Sequence, residues 1–103
     1  MAMDFPKTTI DVNGFIELAK SVQIIELYLF GSVLRDDFGP QSDIDILVRF
    51  SPDSHYSLFD LFDIREKFQK FFNRKVDLVE IDSLRNPYRR ENILGHSRKI
   101  YAA

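Results

Sequence analysis

The stretch LFGSVLRDDFGPQSDIDILV, residues 29–48, decides how this chain folds. An apolar run ends at Gly31-Ser32, an acidic loop follows, and Asp43 and Asp45 then interrupt what otherwise reads as a buried strand from Asp43 to Phe50. Alternate strand residues point the same way and stand about 6.6 Å apart, so the two carboxylates share one face and Ile44 and Ile46 the other. Such a pair is costly unless protons, bases or a metal compensate it, and the strand offers no Lys or Arg before Arg49. A hard divalent cation such as Mg²⁺, which takes carboxylate oxygens and substrate phosphates together, meets that cost. The plain alternative is that Asp43 ends a loop and Asp45 is merely solvated, and the Asp-Ile-Asp pattern alone does not separate the two.

Upstream, IIELYLF (Ile24 to Phe30) is β-branched and aromatic and stops at Gly31, which predicts a strand. SVLRDDFG has room for only a turn or two of helix. Without a Cβ, Gly31 lets a phosphate approach the backbone, Ser32 offers hydroxyl and amide donors, and a helix start favours an anion; a turn with a serine cap is the competing reading. Arg35 either reaches the same phosphates or sits in solvent.

Downstream, Leu58, Leu61, Phe62, Phe68, Phe71 and Phe72 recur at three and four and predict a helix from Ser57 to Phe72. KVDLVEI (Lys75 to Ile81) predicts a further strand, where Asp77 interrupts the apolar run. If that strand neighbours the one carrying Asp43 and Asp45, Asp77 completes an acidic cluster able to hold metal and orient a hydroxyl. Glu80 and Asp82 are its rivals, and Glu80 points to the opposite face.

Asp11 caps a predicted first helix through about Ser21, weakened by Gly14. A short helix spans Pro87 to Leu94 with Gly95 as its stop, and the tail SRKIYAA either docks as a last strand or hangs free. Strand, helix and strand between residues 43 and 81 predict a crossover unit. The expected class is therefore α/β (α+β), a small mixed β-sheet with helices packed against it, in a single domain over residues 1–103 that is ordered from about residue 9.

The composition fits a globular chain, at 45% hydrophobic and 29% charged. A net charge of −2 lacks the basic excess of a general nucleic-acid binder. Cysteine is absent, which removes disulfides and thiolate zinc sites. The N-terminus MAMDFPKTT carries neither a signal-type apolar region nor a spanning segment, so a cytoplasmic protein without membrane contact is expected. His55 and His96 lack a metal-binding spacing. The local basic run Asn86 to Lys99 faces phosphates, an acidic partner surface, or solvent. Among ten Phe and four Tyr, residues Tyr56, Phe59, Phe71, Phe72 and Tyr88 serve either a protein interface or the core.

Gly31-Ser32, ten residues, Asp43-Ile44-Asp45 and a later strand aspartate resemble the signature of the DNA polymerase β-like nucleotidyltransferase superfamily. The short chain is similar to its minimal nucleotidyltransferase (MNT) branch. The resemblance implies the nucleotidyltransferase fold and the transfer of a nucleoside monophosphate, with release of pyrophosphate. It implies Gly31 and Ser32 as the triphosphate-holding turn, with Asp43 and Asp45 as ligands of Mg²⁺, two ions in all. Asp77 becomes the third carboxylate, which binds metal and activates the acceptor. Arg35 and Ser42 match positions common in the minimal branch's loop, whereas Asp36 stands where the family often has glycine.

The larger members add acceptor-binding domains for which 103 residues leave no room. Minimal members resemble antitoxins that transfer AMP from ATP to a tyrosine of a HEPN-type RNase toxin. The implied acceptor is that protein partner rather than nucleic acid or a small molecule. A catalytically silent module that covers its partner is the alternative.

Overall fold

The computed structural model describes residues 2–103. It is a mixed α/β fold, as expected, with three α-helices and two sheets. The strands are β1 (Ala2–Phe5), β2 (Thr8–Asp11), β3 (Ile24–Phe30), β4 (Ile44–Phe50), β5 (Val76–Glu80) and β6 (Arg98–Ala102). The helices are α1 (Val12–Ser21), α2 (Leu58–Phe72) and α3 (Pro87–Gly95). The main sheet has the order β5-β4-β3-β6: β3 runs antiparallel to both β4 and β6, and β4 runs parallel to β5 across the α2 connection.

Two expectations about the chain ends are settled. The tail docks as β6, pairing Tyr101 with Leu27 and Arg98 with Leu29. Order starts earlier than residue 9, because β1 and β2 form an antiparallel hairpin that buries Phe5 and Ile10. The alternation that announces that hairpin is only three residues long on each strand, Met3-Asp4-Phe5 and Thr9-Ile10-Asp11; Pro6-Lys7 makes its turn, and Arg98 stacks 5.1 Å over the Phe5 ring.

Caps set the helix boundaries. The Asp11 side chain accepts from the Gly14 amide, 3.1 Å away, at the start of α1. Gly14, poor for helix propensity, is the place where α2 closes in, since a Cβ there would stand 2.9 Å from Phe71. Ser57 and Asp60 form a reciprocal capping box at the start of α2, and Asn73 ends that helix in the left-handed conformation at φ 53°. Asn86 caps α3 through the amides of Tyr88 and Arg89, with Pro87 at the first turn. α3 ends at Gly95, one residue later than the expected last residue Leu94, and His96 follows as the cap.

The core lies between one face of the sheet and the helices. Leu27, Leu29, Ile44, Ile46, Val48 and Val76 meet Phe15, Ala19, Ile64 and Phe68 there, all buried. Phe15 is surrounded by Phe68, Phe71 and Phe72 at ring distances of 5.8, 6.2 and 5.0 Å. Tyr56 packs on Phe50 and donates its hydroxyl to the Val22 carbonyl, 2.8 Å away. Of the aromatic residues open between core and interface, Tyr56, Phe71 and Phe72 therefore belong to the packing. Phe59 and Tyr88 stay 84% and 83% exposed. The face of the sheet turned away from this core carries Asp45, Leu47, Asp77 and Val79, and the site lies there.

Candidate active site

Residue 45 on β4 stands directly beside residue 77 on the parallel β5, and beside Phe30 on the antiparallel β3. Neighbours in register share a face, so Asp45 and Asp77 project together just where β3 turns away. Asp43 precedes β4 by one residue, is exposed, and lines a cleft of about 430 Å³ together with Asp77, Arg65, Gln69 and Lys75. The three aspartates singled out in the sequence thus lie at one end of the strand pair. Glu80 sits at the far end of β5, level with Val48. Asp82 is engaged by Arg49 at 3.5 Å and Arg90 at 3.9 Å, which removes the rivals from the cluster.

Gly31 closes the other side. Its φ is +75°, a conformation that side chains with a Cβ rarely adopt, and a Cβ built on it would lie 2.0 Å from the Asp45 carboxylate oxygen. The backbone has to turn at Gly31 with no side chain so that the carboxylate can occupy that space. Gly31–Leu34 form a single 3-10 turn, with Val33 buried as its anchor. So short a turn has no appreciable helix dipole, so the expected helix-start contribution to anion binding is missing. Donors from Ser32 and the turn's own peptide groups remain.

Burial raises the Asp45 carboxyl above its ordinary value, and the charges of Asp77 and Asp43 push it further the same way, against a smaller opposing pull from Arg35. A carboxylate whose ionisation is opposed by burial and by two neighbouring carboxylates is one that a hard cation would relieve. Their donor chemistry fits a divalent metal. Among the described residues no three such groups stand at metal-binding spacing in the absence of the ion.

The loop from 35 to 42 sets the approach to Asp43. Arg35 is exposed and pairs with Asp37 at 3.2 Å, on the rim of a cleft of about 390 Å³ beside Gly31. Phe30, Leu34 and Ile93 give that cleft apolar walls, and Asn92 and His96 of the α3 end line it too. Ser42 accepts from the Gly39 amide at 3.0 Å, so its hydroxyl braces the loop. Asp36 is exposed and outside the left-handed region, where only Gly31, Gln23 and Asn73 have positive φ among the described residues. The glycine often found at that position is therefore not needed for this loop.

Arg74 is the residue the sequence did not single out. Its guanidinium donates to the carbonyls of Gly39 (2.8 Å) and Ser42 (2.7 Å) and lies 4.4 Å from the buried Phe38 ring. It pins the segment leading into Asp43 to the end of α2. An Arg after a helix cap carries no such signal by itself.

A side-chain-free turn set against carboxylates on rigid strands is a donor set able to hold a hard cation. The nucleotidyltransferase domain family matches residues 13–100, and the chain belongs to that family. A Methanocaldococcus jannaschii protein named as a candidate protein adenylyltransferase is 33% identical over 92 residues, 84% of this chain and 92% of its own length. A crystal structure of a toxin-antitoxin pair with AMP-PNP contains a chain of the same fold, at TM-score 0.76 and 21% identity, covering 91% of this chain and 75% of that one. So does a complex of a tri-AMPylated Shewanella oneidensis HEPN toxin with an MNT antitoxin, at TM-score 0.66 and 21% identity, covering 89% and 70%. No helix among the described residues is long and apolar enough to cross a membrane.

Proposed function

We propose that this chain is a Mg²⁺-dependent protein adenylyltransferase that moves AMP from ATP to a tyrosine hydroxyl of a HEPN-type toxin, and so acts as an antitoxin. The observation that carries this reading is the register pair Asp45 and Asp77 packed against the side-chain-free turn at Gly31. The adenylyltransferase name of the M. jannaschii relative and the toxin-antitoxin complexes of similar fold support it.

In this reading the triphosphate lies along Gly31 and Ser32, and the nucleoside occupies the cleft walled by Phe30, Leu34 and Ile93, with Arg35 at the phosphate rim. Asp43, Asp45 and Asp77 hold the metal, which when bound neutralises the phosphates and lowers the pKa of the acceptor hydroxyl. Asp77, exposed on the outer strand, takes the hydroxyl proton as the tyrosine oxygen bonds to the α-phosphorus. The bond from that phosphorus to the bridging oxygen breaks and pyrophosphate leaves. Strand positions suit the carboxylates because rigid backbone keeps reacting groups aligned. Ser42 contributes by bracing the loop before Asp43.

A second reading, neutralisation by covering the partner, draws on the exposed apolar end of α2. ATP labelled at the α- or the γ-phosphate, given with Mg²⁺ to the chain and a HEPN-type protein from the same organism, separates the readings. Label from the α-position only, lost in Asp43→Ala/Asp45→Ala while the complex persists, is the expected outcome. Label from the γ-position would make the chain a kinase, and no label with an intact complex would leave occlusion.

A further inference from the structure

Helix α2 has two apolar stripes, and only one is used. Ile64, Phe68, Phe71 and Phe72 pack into the core and Leu61 packs against it, whereas Leu58 and Phe62 stay outside; Leu58, Leu61, Phe62 and Arg65, spaced at i, i+3, i+4 and i+7, line an open groove of about 510 Å³. Leu58 is 84% exposed and Phe62 55%, in a chain whose other large apolar residues are mostly covered. The groove's second wall includes Leu78, Val79 and Glu80, three consecutive residues of β5, so it follows the outer edge of the last strand in the sheet.

Two features say what the groove takes. Arg65 walls both this groove and the cleft holding Asp43 and Asp77, so the two are adjacent. Arg65 and Arg89 bring two guanidinium groups to a groove that carries one carboxylate, Glu80. Neither arginine has an ion-pair partner among the described residues, and Arg65 Nε is buried without a hydrogen bond.

We infer that this groove is the docking surface for the acceptor protein, received through an apolar ridge flanked by carboxylates, with the acceptor hydroxyl lying beyond Arg65 at Asp77. The inference rests on the adenylyltransferase reading for the identity of the occupant. Apolar side chains fill the space between Leu58, Phe62 and Leu78, and carboxylates meet Arg65 and Arg89. A desolvated apolar anchor with charges at its rim is the usual division of energy and orientation in a protein interface.

The test measures complex formation and label transfer separately, using the full chain and a HEPN-type protein from the same organism. Leu58→Asp/Phe62→Asp alters only exposed side chains, and Arg89→Glu reverses a charge on the groove away from the aspartate cleft. Both are expected to weaken the complex at least tenfold while ATP and Mg²⁺ still raise the melting temperature as in the unaltered chain. Transfer should fall through the KM for the acceptor, with kcat little changed. Asp43→Ala/Asp45→Ala should do the reverse, binding the partner and transferring nothing. Unchanged affinity in both groove variants, or no complex with the unaltered chain, overturns the inference. If groove variants weaken a complex in which the unaltered chain transfers no label, the surface stands and the catalytic reading falls.

Discussion

The Asp45 carboxylate occupies the space that a side chain at Gly31 would fill: a Cβ there would come within 2.0 Å of its oxygen. A backbone turn and a strand residue fourteen positions later are thus fitted to one another, and the fit leaves no room for a methyl group. Gly31→Ala meets both that contact and a φ of +75°. It is expected to cost about 1–3 kcal/mol of stability and at least a hundredfold in transfer rate, read by thermal unfolding and labelled-ATP kinetics. A variant with unaltered kinetics would remove the turn from the site.

Asp45 is held above its ordinary carboxyl value by burial first and by Asp77 and Asp43 next, so its charge destabilises the metal-free chain. A raised folded value means that the protonated form is favoured on folding. The penalty is absent below the ordinary value of 3.8 and grows as pH rises through the raised one. Asp45→Asn should therefore stabilise the metal-free chain at pH 7 by a few tenths to about 1 kcal/mol, a melting shift of about 2–6 °C. The advantage should shrink as pH is lowered toward 3.8, and Mg²⁺ should stabilise the unaltered chain more than the variant. Equal melting curves at pH 7 would contradict this.

Arg74 donates to two loop carbonyls and covers Phe38, so its loss frees the segment before Asp43. Arg74→Met should lower stability by about 1–3 kcal/mol, because two carbonyls lose a charged donor. It should also weaken Mn²⁺ binding at the aspartates, measured by paramagnetic resonance. Arg74→Lys, which keeps the charge but not the two-carbonyl reach, should fall between. Normal Mn²⁺ affinity in Arg74→Met would confine the residue to packing.

On the same sheet face Glu26 accepts from Tyr28 at 2.6 Å and pairs with Arg49. The Tyr28 hydrogen bond, aided by Arg49, holds its carboxyl below the ordinary 4.5 despite partial burial. A lowered folded value gives stability that is full above 4.5 and lost as pH falls through the folded value. Glu26→Gln should be less stable by about 1–2 kcal/mol at pH 7, and the gap should close during acid titration of unfolding.

The sequence carried the strands, α2, the α1 cap and the acidic positions because each has a local cause: β-branched runs, three-four spacing, a capping aspartate, and carboxylates where valine would pack. It could not carry what depends on distant neighbours. Gly14 looked like a weakness of α1, yet it is where Phe71 approaches. Leu58 and Phe62 looked like part of one core stripe, yet only the tertiary fold shows that they stay outside it. The hairpin at residues 2–11 has only a three-residue alternation on each strand, and the clamp by Arg74 has no periodic or motif signal at all. Asp77 was legible only as a condition on strand order, which the parallel pairing of β4 and β5 meets.

The central claim is that Asp43, Asp45 and Asp77, with Gly31 and Ser32, transfer AMP to a protein. The most direct measurement follows pyrophosphate release and the intact mass of the HEPN partner in one reaction with ATP and Mg²⁺, for the unaltered chain and for Asp77→Asn. One pyrophosphate for each AMP mass gained, on tyrosine, with both signals lost together in Asp77→Asn, is the predicted result. Release of ADP, or a partner whose mass stays unchanged while its activity is blocked, would contradict it.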